Sequence, residues 1–559
     1  MAHDLIIRNG MVVDGTGRDG YVADVSVDGD RITAIGDLAG EVGAAEIDAS
    51  GQVVSPGFID MHTHLDAQVA WDPLLTSSSW HGVTTVLIGN CGVTFAPVAQ
   101  ADQAYLAEMM ESVEDISRDA ILQGLPWDWT TYPQYLDSVQ RLRPALNMVG
   151  FVGHSAVRYH VMGERSLGDE PPTANELARM REAVAEAIAG GAVGFSASRT
   201  PLHTVPDGRS IPGTFAGIDE YREIARGICE GGGGIFQSVN DFVNQPDLEQ
   251  TLLETMLADV GSILFSAGVG NDDSKRLELL AAFVERTRGA GGTVTLAAPT
   301  RSGGTLCGLT QVLPVRGRRW RALLDLPTIA DRVEALGDAA TRADLIAEGK
   351  KNGLWYDPSH IYPLGTGEEP DYCESGGMSV AALASAQGVH PIELIVERLL
   401  ASEGRELFNA WLFNRRHDLT PDLLAIDRVY PGLSDTGAHA GQICDADMPT
   451  HFLTYWHRDR EQFSLAEAVR RLTSFPAGVL RLADRGTLAV GSFADINVFD
   501  VQRLASRYPE FVYDFPNGAG RFKLGSRGYA ATLVNGQVVA EESVNTGARP
   551  GRVIREFAR

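Results

Sequence analysis

The sequence predicts an α/β fold, a (β/α)8 barrel of the TIM type with a small β-domain formed by both ends of the chain. Three observations predict it: short apolar runs alternate with helical patterns through the middle of the chain, eight such runs occur there, and hairpin signals occupy both ends. Apolar strands separated by helices form parallel sheets, and eight such units imply a closed barrel.

The two ends of the chain carry similar turn signals. Apolar runs near the N-terminus are split by Asn-Gly at 9–10 and by Asp-Gly at 28–29, and a further Asn-Gly occurs at 535–536. Such dipeptides between apolar runs are strong hairpin signals. We therefore expect residues 1–55 and 480–559 to form one small β-domain.

The barrel is expected over residues 56–479. Its eight strand candidates are GFIDMHTH, TTVLIGN, NMVGFVGH, AVGFSAS, GIFQSV, SILFSAG, TVTLAAP and VYPGLSD. Two insertions, at about 99–140 and 303–376, exceed ordinary loops, and excursions of this length are typical of lids or specificity loops. Because barrel active sites lie at the C-terminal ends of the strands, the polar residues that end these runs are the candidates for chemistry.

Composition excludes several classes of function. The chain of 559 residues has 47 Lys and Arg against 73 Asp and Glu, a net charge of −26, which argues against nucleic acid or an anionic membrane as partner. The five cysteines form no CxxC pair, the N-terminus lacks a signal-peptide pattern, and no apolar run approaches the length of a membrane span. We expect a cytoplasmic protein; assembly into a homo-oligomer stays open.

Two histidines end the first predicted strand. His62 and His64 are two residues apart, so in an extended strand they face the same side, as two ligands of one metal ion would. Neutral imidazole suits zinc, iron or nickel. The alternative, a pair of exposed loop histidines, is less favoured because an apolar strand directly precedes them.

An acidic residue ends the last predicted strand, in the run SDTGAH. In a closed barrel Asp435 faces the first strand, where it could contact a metal ion held by the histidines and accept a proton from water. The alternative is that Asp435 caps the turn that follows, a role that Asp favours. His439 either assists the site or is a packed histidine.

These motifs resemble the amidohydrolase superfamily. The similarity runs from LIIRNGMVVDGTG through PGFIDMHTH to DRGTLAVGSFADINVFD and VNGQVV. Within the superfamily, HGVTTVLIGNCGVTFAPV, VGHSAVR and TGARPGRV resemble the N-acyl-D-amino-acid deacylases, or D-aminoacylases. The resemblance implies a metal-dependent hydrolase barrel beside a small β-domain built from both termini.

The resemblance also implies roles for single residues. It implies that His62 and His64 hold one metal position, that Cys91 in GNCG is a ligand in place of the carboxylated lysine of many relatives, and that Asp435 is the catalytic aspartate. No lysine occurs between residues 1 and 274, which agrees with that replacement. Thiolate binds zinc well, so we expect a divalent ion, with Zn²⁺ the leading candidate. The alternative for Cys91 is a small buried residue in a turn.

The sequence departs from the D-aminoacylase pattern in two respects. Gln237 and Ser266 stand where those enzymes have histidines on the fifth and sixth strands, so we expect one firmly held ion, with His154 a further candidate ligand. The arginine that pairs with a substrate carboxylate is missing from DTGAHAGQICDADMPTHF. Arg158 or Arg199 could replace it, since arginine suits bidentate pairing, or each could form a structural ion pair.

The predicted activity is hydrolysis of an N-acyl amide, with an N-acyl-D-amino acid or a related small amide as substrate. Asp435 is the predicted proton shuttle, and the candidates for substrate binding are His154, Arg158, Arg199 and His439. Two alternatives stay open. One is hydrolysis of another C–N bond, in a cyclic amide, ureide or small peptide, and the other is a barrel that binds a ligand without catalysis.

Overall fold

The computed structural model describes residues 2–168, 170–270, 274–288, 291–372 and 378–558. One of the five cysteines, Cys373, and the end of the second predicted insertion lie outside the described residues. The four described cysteines are free thiols. Among the described residues, no helix combines the length and apolar character that crossing a membrane requires.

All eight predicted barrel strands are present, and they form one parallel sheet in chain order. They are Phe58–Asp60, Val83–Ile88, Asn147–Gly153, Gly194–Ser198, Ile235–Val239, Ser262–Ser266, Thr293–Ala298 and Val429–Pro431. The first and last strands meet through a parallel bridge between Thr63 and Thr436 and a hydrogen bond that the Tyr430 hydroxyl donates to the Ile59 carbonyl. The predicted parallel sheet is confirmed, and these contacts bring its first and last strands together.

Helices connect the strands and cover the sheet. They are Tyr132–Arg141, His154–Met162, Ala174–Ala189, Ile218–Glu230, Pro246–Val260, Ser274–Arg288, Thr420–Ala425, Leu465–Leu472 and Ser474–Val479. Ala174–Ala189 begins with a capping box, in which Thr173 and Glu176 satisfy each other's backbone amides. Ile218–Glu230 buries Tyr221, Ile224 and Ile228, the spacing of an amphipathic face packed on the sheet.

A second, nine-stranded sheet combines strands from both ends of the chain. Its members are Ala2–Val12, Tyr21–Asp28, Arg31–Gly36, Val42–Asp48, Val53–Pro56, Ile496–Phe499, Tyr529–Val534, Gln537–Glu541 and Val544–Asn545. The two ends join where Val53–Pro56 pairs with Ile496–Phe499. The division of the chain into a β-domain and a barrel domain stays a prediction.

The insertions contain structure of their own. The first holds helices Gln103–Glu114 and Arg118–Gly124. The second begins a larger unit, a three-stranded sheet with helices around a separate apolar cluster. Its strands are Gly303–Cys307, Ile361–Pro363 and Phe408–Phe413, and its helices are Arg318–Leu324, Ile329–Gly337, Ala339–Asn352, Val380–Gln387 and Pro391–Ala401. The elements that share this cluster run on as far as Phe413.

Short elements complete the chain. After the eighth barrel strand, Met448–His451 leads into a π-helix, Phe452–Asp459. Two small strand pairs, Ala505–Ser506 with Ser526–Arg527 and Glu510–Val512 with Arg521–Lys523, lie between the C-terminal strands of the second sheet.

Candidate metal centre

Four side chains from three strand ends converge at the mouth of the barrel. Nε2 of His62 lies 3.0 Å from Oδ1 of Asp435 and 3.3 Å from Sγ of Cys91. Nε2 of His64 lies 3.7 Å from the same carboxylate oxygen and 3.6 Å from the same sulfur. We refer to His62, His64, Cys91 and Asp435 as the strand-end cluster. Sequence analysis named all four.

Backbone hydrogen bonds between the loops hold this cluster together. The amide of Asp435 donates to the carbonyl of His62 over 3.1 Å, and the amide of His64 donates to the carbonyl of Thr436 over 2.8 Å. Gly437 has a φ of 102°, and a Cβ on it would lie 2.4 Å from the carbonyl oxygen of His64. A glycine is therefore required where the last loop passes the first.

Cys91 lies on the short turn Asn90–Gly92 that follows the second strand. The Asn90 side chain donates to the carbonyls of Thr63 and Leu87, and the Cys91 amide donates to Oε1 of Gln237 over 3.1 Å. These bonds point the sulfur at both histidines. Gln237, on the fifth barrel strand, thus supports the cysteine turn.

The charges of the cluster support one another. Burial acts to lower the pKa of His62, but the negative charges of Cys91 and Asp435 outweigh it and raise that pKa to about 10. Burial acts to raise the pKa of Asp435, yet His62 and His64 hold it well below its usual value. Burial likewise opposes the thiolate, and the same histidines lower the pKa of Cys91. The carboxylate and thiolate forms, which bind metals, are therefore favoured.

A fifth residue, Glu114, contacts the cluster and was missed by sequence analysis. It is the last residue of helix Gln103–Glu114 in the first insertion, and its Oε1 lies 2.9 Å from Nδ1 of His64. Only 1% of its side chain is exposed, and although burial opposes its charge, His64 lowers its pKa. A carboxylate on the far nitrogen of a metal-binding imidazole orients the ring and makes it a stronger ligand.

The other predicted histidine candidates lie apart from one another. Nε2 of His154 lies 2.7 Å from Oε1 of Glu220, and burial lowers the pKa of His154. His439 has a φ of 47° in the loop after Asp435 and is among the residues that lower the pKa of Glu114. His203, which sequence analysis did not name, shares a hydrogen bond of 2.9 Å between its Nδ1 and the Ser198 hydroxyl. Burial lowers its pKa to about 4, with Glu114 and His439 among its charged neighbours.

Both predicted arginines have carboxylate partners. Nε of Arg158 donates to both carboxylate oxygens of Glu220, at 3.1 and 3.3 Å, and Nε of Arg199 donates to Oε1 of Glu249 over 2.6 Å. All four side chains are buried. Arg158 and Glu220 line a cavity of about 770 Å³ whose wall includes Phe215 but none of the strand-end cluster. We refer to His154, Arg158 and Glu220 as the His154 group.

Comparison with known proteins assigns the chain to a family. The model of the amidohydrolase family matches residues 45–540. The chain belongs to the amidohydrolase family.

Individual amidohydrolases match over nearly the whole chain. The N-acyl-D-glutamate deacylase of Alcaligenes xylosoxydans xylosoxydans is 27% identical, over 99% of this chain and 97% of the relative. The D-aminoacylase of the same organism is also 27% identical, over 99% of this chain and 98% of the relative. The predicted resemblance to D-aminoacylases is confirmed.

A structure of an N-acyl-D-glutamate deacylase from Bordetella bronchiseptica, complexed with zinc and a phosphonate inhibitor, is similar in fold. It is 25% identical with a TM-score of 0.67, and the match covers 100% of each chain. The similarity in fold therefore extends over both the barrel and the sheet formed by the two chain ends.

Within this amidohydrolase, the donor set of the strand-end cluster fits a divalent metal ion. His62, His64 and Cys91 are buried, and one ligand atom of each lies within 4.8 Å of the others. In the described part of the chain, these three residues form the group of His, Cys, Asp or Glu side chains close enough together to hold a metal ion. Two imidazole nitrogens, a thiolate and a carboxylate are ligands that zinc accepts. By contrast, Gln237 is committed to the Cys91 amide, and a serine such as Ser266 is not among the usual zinc ligands.

Proposed function

We propose that this chain is a metal-dependent amidohydrolase that cleaves an N-acyl amide, with an N-acyl-D-amino acid or a related small amide as substrate. The observation that carries the proposal is the convergence of the strand-end cluster in a chain that D-aminoacylases match from end to end. Such a cluster supplies both metal ligands and a charged carboxylate at the barrel mouth, where amide hydrolysis would take place.

His62, His64 and Cys91, with Asp435, would hold the ion, and Zn²⁺ is the ion we propose. When bound, a divalent ion supplies Lewis-acid chemistry: it polarises a carbonyl and lowers the pKa of water toward neutrality. Glu114 would hold the His64 ring in the orientation that presents Nε2 to the centre of the cluster.

Asp435 is the group that we assign to proton transfer. Its side chain is 20% exposed, whereas those of His62 and His64 are 2% and 3% exposed, so it is the member of the cluster open to the substrate side. A carboxylate with a lowered pKa is charged at neutral pH. It would accept a proton from the attacking water and return it to the departing amine nitrogen.

A specific observation keeps a second function in view. The chain lacks histidines at 237 and 266, and the predicted replacements for the missing arginine, Arg158 and Arg199, are paired with glutamates. These differences favour hydrolysis of another C–N bond, in a cyclic amide, ureide or small peptide, as the alternative.

Two measurements test the proposal. Elemental analysis after extensive dialysis should find one divalent ion per chain, and Cys91→Ala should lose it while Cys307→Ala, a change at a buried cysteine in the second insertion, should retain it. A screen of N-acyl-D- and N-acyl-L-amino acids, cyclic amides and ureides should show acyl release from an N-acyl amide. Absence of a tightly bound ion, or turnover of cyclic amides alone, would contradict the proposed function.

A further inference from the structure

The loops that carry the strand-end cluster contain no lysine and no arginine. Residues 61–82, 89–117 and 432–457 follow the first, second and eighth barrel strands, and none of these segments includes a lysine or an arginine. A substrate carboxylate near the cluster would therefore need a cation from elsewhere in the barrel mouth.

The arginine that follows the seventh strand already forms ion pairs with two carboxylates. Arg301 is 1% exposed, and its Nη2 donates to Oδ1 of Asp445 over 2.7 Å and to Oδ1 of Asp447 over 2.8 Å. Its guanidinium carbon lies 3.7 Å from the centre of the Tyr372 ring. Two carboxylates against one guanidinium leave this group with a net negative charge.

Two further arginines at this end of the barrel are matched by carboxylates as well. Arg199 pairs with Glu249, and Arg158 pairs with Glu220. In each pair both side chains are at most 5% exposed, so neither ion pair can exchange its carboxylate for that of a substrate without burying an unpaired charge.

The cavity beside Asp435 is lined by charged residues of both signs. Its lining includes Asp435, Asp445 and Arg521. Arg521 donates to Asp72 over 2.6 Å and to Asp514 over 3.0 Å, and Nζ of Lys523 lies 2.7 Å from Oδ2 of Asp514, so two cations are matched by two carboxylates. Since Arg301 is shared between Asp445 and Asp447, Asp445 is the residue that gives this wall an excess of negative charge next to the proposed proton shuttle.

We propose that the substrate carries no free carboxylate, an inference that rests on the proposed function. The site would take an N-acyl amide whose amine portion is uncharged, and Asp445 would exclude substrates that carry a carboxylate. A carboxylate placed there would face Asp445 without a free guanidinium, and juxtaposed like charges in an interface cost several kcal/mol. A neutral amide at the same position meets no such repulsion.

Matched substrate pairs test this inference. Each pair consists of an N-acetyl-D-amino acid and its primary amide, with small, aliphatic and aromatic side chains across the panel. Acetate release reports cleavage of the N-acyl bond alone. We expect kcat/KM to be at least about 30-fold higher for the amide than for the acid. Equal or faster turnover of the acid in the wild-type enzyme would overturn the inference and leave the proposed function intact.

A variant assigns the selection to a residue. Asp445→Asn leaves Arg301 with Asp447 alone, and we expect the preference for the amide to narrow about tenfold, mainly through KM for the acid. Asp344→Asn is the matched control: it removes the same charge from an exposed pair, Oδ2 of Asp344 with Arg319 at 2.8 Å, and should leave the ratio unchanged. A ratio in Asp445→Asn equal to that of the control would remove Asp445 from the selection.

Calorimetric binding of the same pairs to Asp435→Asn separates the two proposals. If no pair releases acetate, the proposed function fails, and binding alone decides the inference. Tighter binding of the amide than of the acid would support it, and tighter binding of the acid would overturn it.

Discussion

Two buried groups near the C-terminal ends of the barrel strands each pair a histidine with a carboxylate, and they have opposite electrostatics. In the strand-end cluster, the pKa of His62 is raised to about 10 because the charges of Cys91 and Asp435 outweigh burial. In the His154 group, burial dominates and the pKa of His154 is lowered. Both contacts are short, 3.0 Å for His62 with Asp435 and 2.7 Å for His154 with Glu220.

The difference lies in what surrounds each carboxylate. Glu220 is held by Arg158, so its charge is balanced within the group. Among the described residues, the ion pairs of Asp435 are with His62 and His64. A buried histidine–carboxylate contact is thus no mark of a metal site by itself. Convergence of several donors on a carboxylate that has no arginine partner is the more informative pattern.

Removal of the Asp435 charge should have the largest effect. Asp435→Asn keeps the size of the side chain but cannot accept a proton, and general-base catalysis is typically worth about 10²–10⁴-fold. We expect kcat to fall by at least that factor, with a smaller change in KM because the lost interaction belongs to the transition state. Steady-state kinetics with metal analysis of the same sample measure this. Near-normal turnover in a soluble, metal-loaded variant would exclude Asp435 as the shuttle.

The corresponding change in the His154 group should act on stability. Glu220→Gln leaves Arg158 buried without its carboxylate, and breaking a buried ion pair in this way costs about 3–5 kcal/mol. We expect the free energy of unfolding to fall by that amount while bound metal per folded chain stays unchanged. Denaturant unfolding and elemental analysis give the two quantities. Loss of metal from folded Glu220→Gln would contradict the conclusion that the His154 group is structural and separate from the metal site.

Glu114 should show a smaller effect on metal affinity. Loss of a carboxylate behind a metal-binding histidine typically costs about 10–100-fold in affinity. We therefore expect Glu114→Gln to bind the ion that much more weakly, as measured by competition with a chelator. Glu111→Gln, on the same helix but exposed, is the control and should bind the ion normally. Unchanged affinity in Glu114→Gln would limit this residue to a packing role.

The smallest effect concerns pH. Since the folded pKa of His154 lies below its unfolded value near 6.5, the unfolded chain binds more protons as the pH falls below about 6.5. Stability should therefore decline on acidification, with this one group contributing at most about 1.4 kcal/mol per pH unit. Unfolding of metal-free protein at pH 7.5 and 5.5 should show a shallower decline for His154→Gln. Equal slopes would mean that His154 is charged in the folded state.

Local patterns were enough to predict the barrel strands and two donors of the cluster. The two-residue spacing of His62 and His64 after an apolar strand predicts that both side chains face the same side. The eight apolar runs predict the strands of the sheet, which pair in chain order. Asp435 followed from its place at the end of the last strand of a closed barrel, whereas Cys91 needed the resemblance of GNCG to a known family.

The residues that sequence analysis missed depend on long-range packing. Glu114 contacts His64 only because an insertion helix folds back over the barrel mouth. One signal was present: Leu106, Met110, Val113 and Glu114 share the buried face of that helix, so an acid occupies a core-facing position. Glu220 and Glu249, which pair with Arg158 and Arg199, follow other strands, and no local motif links each acid to its arginine.

The backbone bonds that join the His62 and Asp435 loops have a consequence for biosynthesis. His62, His64 and Cys91 leave the ribosome more than 300 residues before Asp435 and the strand that pairs with Val53–Pro56. A nascent chain thus presents two imidazoles and a thiol long before the carboxylate that completes them. We expect stable metal loading to follow synthesis of the Asp435 loop, so that metal acquisition reports that this loop has been made.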